Sequence, residues 1–305
     1  MPSKTVSFGL ATIRNAHDDI EAAMVIDQWV YPLLTLDASF QSHTIFGLLQ
    51  DWASAYSLLQ RLASRVAEPD GQLMRRRIPL KQANFDTPIR YPNKLLAVGA
   101  NYSSHLKEMG LSTEKWDTMP FFSCPPTSSI VGPGKTVALP PTTKQFDWEC
   151  ELAVVMGKGL RNATPEQAAE AIAGYTIGLD LSCRDLFETG AQGLVDIIRG
   201  KAQPGMKPCG PIFWPKECIG NLDNVPVRLW LNGDLMMDGT TSEMIRSPAE
   251  CIAEMSQILP LDPGDMIMTG TPSGSARSYG NRWLVKEDLI KVQIGDMEPL
   301  EVKIY

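Results

Sequence analysis

The clearest pattern along the chain is the run Phe146-Asp147-Trp148-Glu149-Cys150-Glu151-Leu152-Ala153-Val154-Val155-Met156-Gly157. It is short, mostly apolar and closed by glycine, which predicts a buried strand. A period of two puts Trp148, Cys150, Leu152, Val154 and Met156 on one face, and Glu149, Glu151, Ala153 and Val155 on the other. Upstream, Val6–Leu10, Ala23–Ile26 and Trp29–Leu34 predict short strands separated by polar or turn residues. Ile45, Leu48, Leu49, Trp52, Tyr56, Leu59, Leu62 and Val66 follow helical spacing. That helix has Thr44 or Ser42 as N-cap and Glu68-Pro69-Asp70-Gly71 as its stop. Two prolines between Thr87 and Asn93 disfavour regular structure and mark a boundary. The division expected is a small N-terminal α+β domain over residues 1–90 and a larger domain over 91–305.

The larger part opens with a buried strand, Leu95–Ala100, and a short helix capped by Ser103 or Ser104 and ending at Gly110. Capping boxes at Thr164-Pro165-Glu166-Gln167 and Ser247-Pro248-Ala249-Glu250 start two further helices. The first of these runs from Pro165 to Ala173; Pro260 stops the second. Strands are expected at Tyr175–Leu179, at Val225–Leu231 before the hairpin turn Asn232-Gly233-Asp234, and at Met266–Met268. Gly200-Lys201 and Lys207–Pro211 read as irregular.

Composition narrows the function. The 305 residues include 28 basic and 35 acidic ones, a net charge of −7, which argues against nucleic acid or an anionic membrane as the main partner. Hydrophobic residues make up 44%, enough for a sizeable core, but no apolar stretch reaches the eighteen or so residues of a membrane span. The first residues lack a signal-peptide core, and the six cysteines form no Cys-x-x-Cys pair. A soluble, cytoplasmic protein with reduced thiols is expected.

Candidate chemistry starts at Glu149 and Glu151, roughly 6.6 Å apart along one strand face at ~3.3 Å per residue. Buried, they repel; a divalent cation between them removes that penalty, and oxygen donors suit Mg²⁺, Mn²⁺ or Ca²⁺. A strand end projecting into water would need no cation. Asp180 sits where a strand opens into a loop, placed for a third carboxylate ligand or for a turn cap. His105 and Glu108, at i and i+3 of the short helix, can touch; a carboxylate fixes the imidazole tautomer and raises its basicity, as a general base requires. The same spacing also suits an ordinary surface pair. The loop Thr269-Gly270-Thr271-Pro272-Ser273-Gly274 offers amides and hydroxyls to an anion, or is a plain turn.

In this order the motifs resemble the fumarylacetoacetate hydrolase family, over roughly Asn93 to Tyr305. The resemblance rests on Asn101-Tyr102-x-x-His105-x-x-Glu108, Glu149-x-Glu151-Leu152, Gly174-Tyr175-x-x-x-x-Asp180 and Arg184-Asp185. Gly200-Lys201, Asn232-Gly233 and Thr269-Gly270-Thr271-Pro272-Ser273 complete it. It implies a mixed β-roll catalytic domain, a homodimer, and Mg²⁺, Mn²⁺ or Ca²⁺ held by Glu149, Glu151 and Asp180. It further implies hydrolysis of a C–C bond in an acylpyruvate-like 2,4-dioxo acid, with decarboxylation or tautomerisation of a related oxo acid as the alternative. His105 and Glu108 would then activate water, Lys201 would meet the oxyanion, and Arg184, Gly270 and Thr271 would bind substrate. The chain departs from the family at Gly200-Lys201-Ala202-Gln203-Pro204, where Gly-Lys-Ser followed by Asp is common. Cys124 stands where lysine is frequent, and Phe187–Arg199 follows no family pattern. The helix bearing His105 has only Leu106 and Met109 as apolar anchors, so it is expected to act as a lid.

Overall fold

The computed structural model describes residues 6–40, 44–67, 71–191 and 193–305; Ser42 and the stop at Glu68-Pro69-Asp70 lie outside them. The architecture is α+β with mixed sheets. The N-terminal strands are Gly9–Arg14, Ile20–Ile26 and Trp29–Pro32, joined as antiparallel neighbours. The single helix expected over 45–66 is two, Ile45–Leu49 and Trp52–Val66. Thr44 caps the first by accepting from the Gly47 amide at 3.0 Å. Asp51 caps the second from the Ser54 amide at 3.4 Å, and that local bond breaks the run without disturbing the apolar spacing. Leu59, Leu62, Ala63 and Val66 still face the core.

Among the described residues, twelve strands form the large sheet. Its central order is Gly9–Arg14, Lys207–Pro215, Ile172–Leu179, Cys150–Met156, Met266–Met268, Leu95–Val98 and Phe121–Cys124. The N-terminal strands continue this sheet through the pair Leu10↔Phe213. Lys207–Pro211, expected to be irregular, is therefore strand. A register shift between Tyr175 and Ile177 accommodates Pro211, which has no N–H to give a regular ladder. The strand expected from 146 to 157 is likewise split: Phe146–Asp147 pairs with Ser182–Cys183, and the main strand starts at Cys150.

A five-stranded sheet containing Pro226–Leu231, Leu289–Ile294 and Leu300–Ile304 covers one face of the centre, with Trp148, Leu152 and Ile177 in one core with Leu229, Ile290 and Val292. Ala153 and Val155 point to the opposite face, against the N-terminal helices, as the alternation requires. Both capping boxes form. The helix Pro165–Ala171 is shorter than expected because the chain passes straight into the strand beginning at Ile172. No helix among the described residues is long and apolar enough to cross a membrane. All six cysteines are free thiols.

Candidate active site

Register builds the site. In the antiparallel pairing, Cys150 faces Leu179 and Glu151 faces Gly178, so Glu149 comes opposite Asp180; the Asp180 amide donates to the Glu149 carbonyl at 2.9 Å. Ala153 faces Met268, which carries Gly270 opposite Glu151, and the Gly270 amide donates to Glu151 Oε2 at 2.6 Å. Gly270 adopts φ +90°, a conformation that favours glycine. Gly178 faces Cys209, which carries Lys207 opposite Asp180. Adjacent strand ends thus deliver three carboxylates whose oxygens lie within 4.8 Å of one another. Glu149, Glu151 and Asp180 are 5%, 1% and 0% exposed, so they do not project into water.

Cations surround them. Lys201 Nζ lies 2.7 Å from Glu149 and 2.5 Å from Asp180, and 5.2 Å from the Phe122 ring centre. Lys207 Nζ lies 2.7 Å from Asp180 Oδ1. Arg184 bridges Asp147 at 2.8 Å and Glu149 at 2.5 Å. Burial opposes charge on Glu149, but Lys201, then Arg184 and His105, hold it well below the usual carboxylate range. Glu151 goes the other way: burial first, then Asp180 and Glu149, push it well above that range. Four carboxylates here meet three cations, and Glu151 has no ion-pair partner among the described residues. A divalent cation resolves such a surplus, and an all-oxygen donor set fits Mg²⁺, Mn²⁺ or Ca²⁺.

The helix Ser103–Glu108 sets His105 against Glu108, Nδ1 to Oε2 at 2.7 Å, with both side chains 9% exposed. Neither Ser103 nor Ser104 caps it; Tyr102 holds that position without a side-chain bond. Burial disfavours charge on Glu108, yet His105, the Ser278 hydroxyl and the Gly274 amide hold it at about 2. The amides of Gly274 and Ser275 donate to Glu108 Oε1 at 3.2 and 3.0 Å. Ser104 Oγ donates to Glu243 and accepts from the Ser273 amide at 3.1 Å. The expected apolar anchoring is thin, with Leu106 buried and Met109 42% exposed, but these polar bonds fasten the helix to the 270s loop.

The other expected residues take varied places. Gly200-Lys201 ends the helix Ile197–Lys201, capped by Asp196, instead of lying in an irregular segment. A Cβ on Gly200 would sit 2.4 Å from the Phe187 ring. Arg184 is spent on Asp147 and Glu149, and the Thr271 hydroxyl donates to the Met237 sulfur at 3.6 Å. Sequence reasoning missed Lys207, Asp147, Glu243 and Ser278. Asp147 accepts from the Ala276 amide at 2.8 Å and so joins Arg184 to the 270s loop. A surface cleft of about 490 Å³ lined by Tyr175, Lys216, Thr241 and Ser247 contains none of the three carboxylates.

A buried carboxylate triad at strand ends thus lies beside an imidazole poised by glutamate, and its oxygens could hold a divalent cation. The profile of the fumarylacetoacetate (FAA) hydrolase C-terminal family matches residues 94–305, and the chain belongs to that family. It is 35% identical over 198 residues to the mitochondrial oxaloacetate tautomerase Fahd2a of Rattus norvegicus; the match spans 65% of this chain and 61% of that protein's length. A fumarylpyruvate hydrolase from Pseudomonas aeruginosa, solved with Mn²⁺ and pyruvate, is 30% identical with TM-score 0.63, over 72% of this chain and 90% of that one. Fumarylacetoacetate hydrolase from psychrophilic Exiguobacterium antarcticum is 26% identical with TM-score 0.78, over 98% and 99% of the two chains.

Proposed function

We propose that the protein hydrolyses a C–C bond in an acylpyruvate-like 2,4-dioxo acid, releasing pyruvate or a related 2-oxo acid and a carboxylic acid. The observation that carries this is the buried His105–Glu108 pair beside the carboxylate triad, a general base placed to activate water. Glu149, Glu151 and Asp180 would hold Mg²⁺ or Mn²⁺, which when bound supplies Lewis acidity for a substrate carboxylate and 2-oxo oxygen. His105 presents Nε2 to water, because Nδ1 is engaged by Glu108. Glu108, held ionised at about 2, stabilises the imidazolium formed when His105 takes the proton. Lys201 neutralises Glu149 and Asp180 and is the donor for the developing oxyanion; losing such a donor costs about 2.7–4 kcal/mol. The Gly270 amide keeps Glu151 turned into the site. Assembly as a homodimer belongs to the same proposal, and a light-scattering mass equal to one chain would remove it.

The similarity to an oxaloacetate tautomerase supports a second reading, in which His105 shuttles a proton between the enol oxygen and the adjacent carbon of an oxo acid. One experiment separates the two. A synthetic acylpyruvate and enol-oxaloacetate are each followed by NMR with Mg²⁺-loaded and chelator-treated protein. Pyruvate plus a second acid, formed only with metal, supports hydrolysis. Faster enol-to-keto conversion without cleavage supports the tautomerase. Equal rates in loaded and chelated protein defeat both.

A further inference from the structure

Lys207 is the site's unexplained cation. A lysine on a central strand of a large sheet is expected at neither face, yet this one is 0% exposed. The register that sets Gly178 against Cys209 puts Lys207 across from Asp180, and its ammonium reaches Asp180 Oδ1 at 2.7 Å. It also donates to the carbonyls of Lys201, of Leu181 at 3.3 Å and of Met206 at 3.2 Å. One group therefore hydrogen-bonds the backbone that carries Lys201 and sets its charge against Asp180 Oδ1, an oxygen with no hydrogen-bond partner among the described residues. Asp180 Oδ2 remains turned toward Glu149 and Lys201. Cys124 converges on the same place: its thiol donates to the Lys201 carbonyl at 3.6 Å, the carbonyl that Lys207 also holds. The two residues approach from different strands.

We propose that Lys207 is the positioning residue for Asp180. This rests on the reading of Asp180 as a metal ligand. Two opposed effects make the proposal testable. Deleting a nearby positive charge should by itself tighten binding of a divalent cation. Deleting the group that holds Asp180 in place should weaken it, typically ~10–100-fold for partners that orient a ligand. The positioning role requires the second to win, because Lys207 joins Asp180, through an ion pair, to three backbone carbonyls of the site.

The test uses the full-length protein, with Mn²⁺ affinity read from the spin-resonance signal of free Mn²⁺ and the Tm of chelator-treated samples. Lys207→Met should bind Mn²⁺ ~10–100-fold more weakly. It should also melt about 10 °C lower, the scale of breaking one partner of a buried ion pair. If Lys207→Met does not fold, Lys207→Arg decides, since it keeps the charge and changes only the geometry: Mn²⁺ binding weaker than the parent's supports the positioning role, and unchanged binding overturns it. Tighter or unchanged Mn²⁺ binding by Lys207→Met overturns that role likewise. Parent protein that binds no Mn²⁺ would instead remove the ligand assignment itself.

Discussion

Replacing Glu108 by Gln tests the proposed base at its support. The carboxylate receives His105 Nδ1 at 2.7 Å, two loop amides at 3.2 and 3.0 Å, and the Ser278 hydroxyl. Together these lower it from an ordinary 4.5 to about 2. That difference, at 1.36 kcal/mol per pH unit, is roughly 3 kcal/mol, and water at the half-buried edge reduces it to ~1.5–3 kcal/mol. A depressed carboxylate contributes stability that is full above its unfolded value and is lost as pH falls through its folded one. The stability gap between parent and Glu108→Gln should thus be open at pH 7 and close from pH 5 toward pH 2. Chemistry should suffer more than stability. A glutamine amide facing Nδ1 favours the tautomer with the proton on Nε2, which removes the base, and kcat should fall ~10²–10⁴-fold. Mn²⁺ affinity should hardly change, since Glu108 is no ligand. Urea melts across this pH range, kcat at saturating Mg²⁺ and a Mn²⁺ titration make up the assay. A kcat within a few-fold of the parent, or a defect abolished by adding metal, would refute the role assigned to the pair.

Three further outcomes follow from the same geometry. Glu151→Gln removes the carboxylate that burial, Asp180 and Glu149 hold protonated far above its usual range. An acid with a raised folded value loses stability as pH rises past its unfolded one, so at pH 7 the chelated variant should melt no lower than the parent, yet gain no Tm from Mn²⁺. Gly200→Ala should cost kcat and stability together, because a Cβ 2.4 Å from the Phe187 ring must displace the turn that carries Lys201; unchanged activity would show that turn to be tolerant. Hydrogen exchange should find residues 103–111 protected even without ligand, held by Ser104 and Glu108, while 112–117 exchange fast; a gate over the site would then have to lie in the latter segment.

What could be read from the sequence was local or strictly ordered. The faces of Cys150–Met156, both capping boxes and the Asn232-Gly233 turn depend on residues within a few positions of one another, and all three form. The motif order pointed to Glu149, Glu151 and Asp180 because antiparallel register carries strand ends together. Lys207 and Asp147 were not legible for the opposite reason. A lysine before proline carries no signal of burial until Asp180 is known to lie across from it, and Asp147 finds Ala276 only after the 270s loop is in place. Arg184 and Lys201 were seen, but as groups facing substrate; their pairing with carboxylates becomes visible only when all the charges are assembled. The break at Asp51 turned on one side-chain bond, below the resolution of apolar spacing.

The most direct test of the central claim is an anomalous-difference map at the manganese edge from crystals grown with Mn²⁺ and oxalate. The account predicts one strong peak among Glu149, Glu151 and Asp180, with oxalate on its open side toward His105 and the Lys201 ammonium shifted from its place between Glu149 and Asp180. Crystals with Mn²⁺ bound elsewhere, or with no peak and Lys201 still bridging the two carboxylates at saturating metal, would contradict it.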